Sequence, residues 1–487
     1  MRTIAFAATL FALTMSAAPA AAQQQSVLTY HGDAGRSGNF VVPALTWQSA
    51  ASVQPDDAFD ARVDGHLYAQ PLYWSDPATH RPLLLTASES NVVQAFDAQS
   101  GKEVWRRSVG RPVPRAALPC GNINPLGITG TPVIDPATQA IYFDAAVDEA
   151  GEPRHQIFGL SLKDGSILQG FPVDVGRALA SAGKRFDPRT QNQRTALTLL
   201  DGAVYAGFSG HFGDCGDYHG FVVGVPLHDP GKISSFETRA RGGGIWAPGG
   251  LPVVGRDMFF STGNTFGANT WSDGEAVFRV GADLRRSDSK RDYFAPANWR
   301  SMDAADEDLG GSNPLPFDVG GQALILALGK DRNAYLLDRN NLGGIGGQLV
   351  GEIVSRSPIH TSPAAYPLGN DAMVAFEGPS SRCGHGGDLT VLKIAAGSPP
   401  AMNIAWCGAV NGRGSPIVTT TDGHSDPIVW MPGAEGDNRL HAFRGDTGAP
   451  LYASAPLTGL RHFQTLIATQ DRLYVGADGR VYAFRIK

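Results

Sequence analysis

Four carboxylates crowd one stretch of the chain: Asp303, Asp306, Glu307 and Asp308, running into Leu309-Gly310-Gly311-Ser312-Asn313. Carboxylates held close together raise one another's proton affinity or share a cation. The stretch therefore reads either as a proton acceptor or hard-cation ligand, with Asp308 as the candidate, or as a solvated acidic loop. Lys330 follows the apolar run Ile325-Leu326-Ala327-Leu328-Gly329 and reads either as a charge partner for an anion or as an ordinary lysine at a strand end. A second cluster, His211, Asp214, Cys215, Asp217 and His219, falls within residues 210–220. Imidazole, carboxylate and thiolate suit a transition metal. A Cys215 taken up in a disulfide is no ligand, however, and a Gly-rich loop is as readily a plain connection between strands. No nucleophile elbow, phosphate loop or H-E-x-x-H pattern stands in a suitable setting, so hydrolase and nucleotide readings lack support.

The elements that must position these groups are short strands. Residues 92–105 read Val-Val-Gln-Ala-Phe-Asp-Ala-Gln-Ser-Gly-Lys-Glu-Val-Trp, a strand, a tight turn at Ser100-Gly101 and a second strand. Ala442-Phe443-Arg444-Gly445-Asp446-Thr447-Gly448-Ala449 repeats this hairpin, and Leu160-Ser161-Leu162-Lys163-Asp164-Gly165-Ser166 repeats it more loosely. A polar residue followed by Gly makes the turn because Gly accepts a positive φ without steric cost. Candidate first strands begin near Gln70, Thr131, Thr195, Gly250, Gln322, Ser362, Ser415 and Gln464, giving eight units. With no 3.6-residue pattern between them, the runs predict an all-β propeller or sandwich. The last unit decides for the propeller. Its three strands end at Lys487 with the fourth missing, while residues 58–63 form a strand without a hairpin of its own. The N-terminal strand can complete the C-terminal blade and close the ring, leaving no open sheet edge.

The start of the chain, Met1-Arg2, an apolar run from Ile4 to Met15 and small residues to Ala22, has the layout of a cleavable secretory leader over residues 1–22. Residues 23–487 then form a single propeller domain, periplasmic or secreted. The net charge of -6, from 40 basic and 46 acidic residues without runs of like charge, excludes a nucleic-acid footprint or polybasic membrane patch and favours a small neutral substrate or a protein partner. The 60 Gly and 33 Pro fit many turns. The four cysteines make no C-x-x-C or C-x-x-C-H pattern, which argues against structural zinc and covalent haem. Cys120–Cys215 with Cys383–Cys407 is the sequence-nearest of three connectivities; free buried thiols are the alternative. His66, Gln70, Arg194, His360, Arg413 and His462 stand at the mouths of first strands and are candidates to line a central channel.

The turn sequence Asp97…Ser100-Gly101-Lys102…Trp105 resembles the repeat of the quinoprotein (PQQ-dependent) alcohol dehydrogenase superfamily of β-propellers. Members bind pyrroloquinoline quinone (PQQ) on the propeller axis, and non-enzymatic propellers carry the same repeat. The resemblance implies that Lys330 contacts the quinone oxygens, where a cation stabilises developing negative charge. It implies that Asp308 is the base taking the alcohol proton and stands with Asn264, in Ser261-Thr262-Gly263-Asn264-Thr265, among the Ca²⁺ ligands. Trp246, after Gly242-Gly243-Gly244-Ile245, is similar in place to the tryptophan on which the quinone stacks. Two features depart from the pattern. No Glu stands near residues 210–215, where the family's calcium-binding Glu falls, leaving Asp214 or Asp217 as substitutes; and the family's adjacent cysteine pair is absent, since Gly121 follows Cys120. Two functions are therefore expected: an oxidoreductase acting on an alcohol or sugar through PQQ and Ca²⁺, needing a separate electron acceptor, or a non-enzymatic propeller that serves as a binding or assembly scaffold.

Overall fold

Repeated hairpins with apolar residues on both faces cannot bury themselves alone, so each sheet must be sandwiched between two others. A computed structural model of the chain describes residues 26–77, 79, 81–384 and 386–487. The leader expected for residues 1–22 lies outside them. Eight small sheets stand around a central channel as the blades of a propeller, each an antiparallel meander of about four strands running outward from the axis. In the first blade Leu72–Ser75, Pro82–Ala87, Val92–Asp97 and Glu103–Ser108 lie in that order. The core is a series of clusters between neighbouring blades. One joins Leu85, Val93 and Trp105 of the first blade to Ile141, Phe143 and Phe158 of the second. Burial on both faces explains why second and third strands read as continuous apolar runs.

The repeated Trp and turn Gly lock blade to blade. Trp105 donates from Nε1 to the carbonyl of Leu162, 2.9 Å away in the next blade's turn, and Trp406 does the same to Gly445 at 2.8 Å. The turn glycines Gly101, Gly165 and Gly448 all have positive φ, 75°, 68° and 73°. Trp105 is 9 % exposed, so the bond completes a nearly full burial of the ring.

Residues 58–63 close the ring as expected. Ala61–Arg62 pairs antiparallel with Val481 and Arg480 of the last blade, and Gln54–Pro55 pairs with Arg485 and Phe484 beside it. One expectation is corrected: Gln322 does not open a first strand. The fifth blade begins with Leu315–Val319, and Gln322–Leu328 is its second strand, joined by a turn at Gly320-Gly321. Pro316 and Asp318 interrupt the apolar character of that innermost strand, and so it does not stand out in the sequence.

The segment from residue 26 to residue 42 threads the channel. It forms backbone hydrogen bonds with Tyr73, Ile134, Val253, Ala365 and Val418, each in the innermost strand of a different blade. Arg36, fully buried within it, donates to the Leu197 carbonyl at 2.9 Å. Tyr30 of this segment is buried at the inner end of the remaining open mouth. Both cysteine pairs form, Cys120–Cys215 and Cys383–Cys407, with Cα separations of 6.1 and 5.9 Å. No described helix is long and apolar enough to cross a membrane.

Candidate functional site

Links between blades carry the polar groups of the mouth. The helix Trp299–Ala305 ends at Asp306, whose φ of 56° turns the chain, and the following turn Leu309–Gly311 presses on the end of strand Asp257–Thr262. A Cβ at Gly263 would stand 2.5 Å from Asp308 Oδ1, so only glycine there admits the carboxylate. Asp308 then accepts the Asn264 N–H at 2.7 Å. Lys330 comes from the fifth blade, its N–H bonded to the Asp308 carbonyl at 2.8 Å. Its Nζ lies 2.5 Å from Asp308 Oδ2 and 3.0 Å from Asp306 Oδ1. The same Nζ stands 5.5 Å from the centre of the Trp246 ring, and the half-buried His360 ring lies 6.3 Å from it. Trp246, Asn264, Asp308 and Lys330 thus meet at one place, although the fold brings them from separate segments.

Electrostatics divide the carboxylates. Glu275 is fully buried, accepts the Leu309 N–H at 2.6 Å through Oε2 and has no hydrogen-bond partner at Oε1 among the described residues. Burial, then the neighbouring Asp308, raise it well above the usual carboxylate range. Burial pulls Lys330 down, but Asp308 and Asp306 outweigh it and the net shift is upward. His360 is pushed down to about 4 by burial and then by Lys330, which leaves it neutral. Asp303 is spent on Thr265, accepting from its N–H at 2.8 Å and its hydroxyl at 2.6 Å, and Glu307 pairs with Arg332 at 3.3 Å.

Arg194 lies between two rings, 5.7 Å from the centre of Tyr68 and 5.2 Å from that of Phe463, whose ring is 6.2 Å from that of His360. A cavity of about 10 Å³ beneath, room for one water, is lined by Tyr30, Thr129 and Thr131 as well. Glu89, buried beside it and bonded to the Gly127 N–H and the Thr129 hydroxyl, is raised to about 7, chiefly by burial. Of the other channel candidates, His66 pairs with Asp478 at 2.9 Å, His462 with Glu435 at 2.7 Å and Gln70 with the His31 N–H of the threading segment at 2.9 Å, while Arg413 is exposed.

Within residues 210–220 no transition-metal site forms. Cys215 is in a disulfide, His219 bonds the Thr238 carbonyl at 2.8 Å, Asp214 accepts from the Tyr218 hydroxyl at 2.6 Å, and Asp217 is exposed. Among the described residues no three His, Cys, Asp or Glu groups are placed to hold a metal ion. Calcium takes six to eight oxygens. Asn264 and Asp308 offer hard donors, but the Lys330 ammonium already faces Asp308, so this donor set does not make a calcium site. A planar carboxylated quinone fits better. Trp246 offers a half-exposed ring and Lys330 a cation above it. Sequence reasoning missed Glu275, Glu89, Tyr68 and Phe463; their only signal is a polar or aromatic residue just beyond an apolar strand.

The sequence matches no protein-family profile and no curated protein. Solved structures match over nearly the whole chain. The quinohemoprotein alcohol dehydrogenase from Comamonas testosteroni aligns with a TM-score of 0.65 at 12 % identity, over 95 % of this chain and 80 % of that one. In fold, the chain is an eight-bladed β-propeller similar to that enzyme's. A europium-containing methanol dehydrogenase aligns equally, TM-score 0.65 at 13 % identity, over 93 % and 90 % of the two chains. BamB from Moraxella catarrhalis aligns with a TM-score of 0.51 at 12 % identity, over 89 % and 99 %. Identities this low speak for the fold of this propeller and leave its activity to the site.

Proposed function

We propose that this propeller is a periplasmic or secreted oxidoreductase that oxidises an alcohol or sugar hydroxyl with PQQ held at the channel mouth. The observation that carries the proposal is the meeting of Trp246, Asn264, Asp308 and Lys330, since nothing local forces residues so far apart in sequence together. Trp246 is the platform for the quinone ring and Lys330 its cationic contact. Bound PQQ supplies the two-electron acceptor, and the protein orients substrate against it. Asp308 takes the hydroxyl proton. The Asn264 N–H fixes one of its oxygens and Lys330 the other. Reoxidation falls to a separate electron acceptor.

A scaffold that binds a protein partner is the second reading, and one observation favours it: the incomplete set of oxygen donors around Asn264 and Asp308. Adding PQQ to the full chain, with and without Ca²⁺, separates the two. The enzyme reading expects a quinone absorbance that stays with the protein through gel filtration and is lost in Trp246→Ala. Absence of retained chromophore under both conditions overturns it.

A further inference from the structure

Arg194 carries a charge that the fold does not neutralise. Among the described residues its guanidinium has no hydrogen-bond acceptor and no ion pair, and its Nη1 is buried. What holds it is a pair of ring faces, Tyr68 and Phe463. Glu89, whose charge reaches it, spends both oxygens on the Gly127 N–H and the Thr129 hydroxyl and is raised to about 7, so it is a poor counter-ion. Arg461, close by over Tyr68, differs: Asp478 takes it at 2.8 Å.

The cavity of about 10 Å³ opens against this guanidinium. Besides Arg194 and the two rings its walls are Tyr30, Pro248, Thr129 and Thr131, and no carboxylate is among its lining residues. Thr129 spends its hydroxyl proton on Glu89. Thr131 accepts the Gln70 N–H at 2.9 Å, and its own proton has no acceptor among the described residues. An unpartnered N–H group and a free hydroxyl proton thus belong to the walls of a space one atom wide. Donors without acceptors, beside a positive charge, select an anion. The volume excludes a carboxylate, sulfate or phosphate, each several atoms across, whereas a halide ion is little larger than the water it admits. A water there would accept a hydrogen bond but leave the charge uncompensated, which is costly at a buried group.

We propose that this cavity is a halide site, with chloride held between the Arg194 Nη1 and the Thr131 hydroxyl. The site is separate from the quinone reading, because a ligand of several atoms does not enter it. The full chain, purified free of chloride, tests it through the linewidth of the chloride NMR signal at constant ionic strength. The protein should broaden the line; bromide should reverse the broadening, and sulfate should not. Arg194→Gln should weaken chloride at least about tenfold, the loss of one charged hydrogen bond. Thr131→Val keeps the side-chain shape, removes only the donor and should weaken chloride less; it serves if the Gln variant does not fold. Crystals soaked in bromide should show an anomalous peak within hydrogen-bond reach of Arg194 Nη1 and Thr131 Oγ1. No specific broadening, displacement by sulfate as readily as by bromide, an affinity unchanged in both variants, or water alone in the cavity of bromide-soaked crystals overturns the proposal. Chloride binding leaves it standing whether or not the protein retains PQQ.

Discussion

Replacing Lys330 with Met keeps most of the side-chain volume and removes only the charge, leaving Asp308 as a buried carboxylate without its counter-ion. Asp308 is 4 % exposed and the pair is separated by 2.5 Å. Coulomb attraction at that distance is about 7 kcal/mol at an effective dielectric of about 20, and the desolvation of both groups cancels much of it. Removing one member of a buried pair costs about 3–5 kcal/mol. The Lys330 side chain keeps some solvent access, which places the expected loss near the lower end, about 3 kcal/mol, and the exposed Asp306 contact adds under about 1 kcal/mol. For a domain of this size the unfolding entropy is about 1 kcal/mol per kelvin, so Tm should fall by about 3 °C. Asp308→Asn in the Lys330→Met background removes the stranded charge and should restore most of the loss. Calorimetric unfolding of the four proteins of this cycle measures both steps. A single variant within about 1 °C of wild type, or a double variant as unstable as the single, refutes the reasoning that the pair is a buried, mutually compensating unit.

Stability should also fall as pH rises from about 5 to 8. Glu89 and Glu377 are raised mainly by burial, to about 7 and about 8, so between their unfolded values and these the folded state binds more protons than the unfolded one. Stability is thus full at low pH and lost as pH climbs; Glu89→Gln should flatten the slope of Tm against pH, and an unchanged slope would speak against a protonated Glu89. Gly101→Ala should destabilise by more than about 2 kcal/mol, because φ is 75° and its Cβ would stand 2.6 Å from the Asp60 backbone of the closing strand. Hydrogen exchange should locate that loss at residues 54–63, and a uniform loss would place it elsewhere.

The fold was largely legible because its determinants are local. A turn Gly after a polar residue and apolar runs buried on both faces recur along the chain, a Trp on the outer strand marks two of the units, and hairpin geometry depends only on near neighbours. A last unit short of one strand and a spare strand near the N-terminus likewise determined the closure. What lay beyond the sequence depends on which blades end up facing one another. Nothing in Asp303-Ala304-Ala305-Asp306-Glu307-Asp308 says which carboxylate meets Lys330. That follows from the helix ending at Asp306 and from the room left by Gly263, features of a packed interface. The threading of residues 26–42 through the channel and the stacking of Arg194 between Tyr68 and Phe463 are likewise invisible in sequence, since their partners are brought close only when the ring closes. Periodicity encodes which residues leave water; long-range geometry alone decides which charges meet, and the chemistry of the mouth belongs to the second kind.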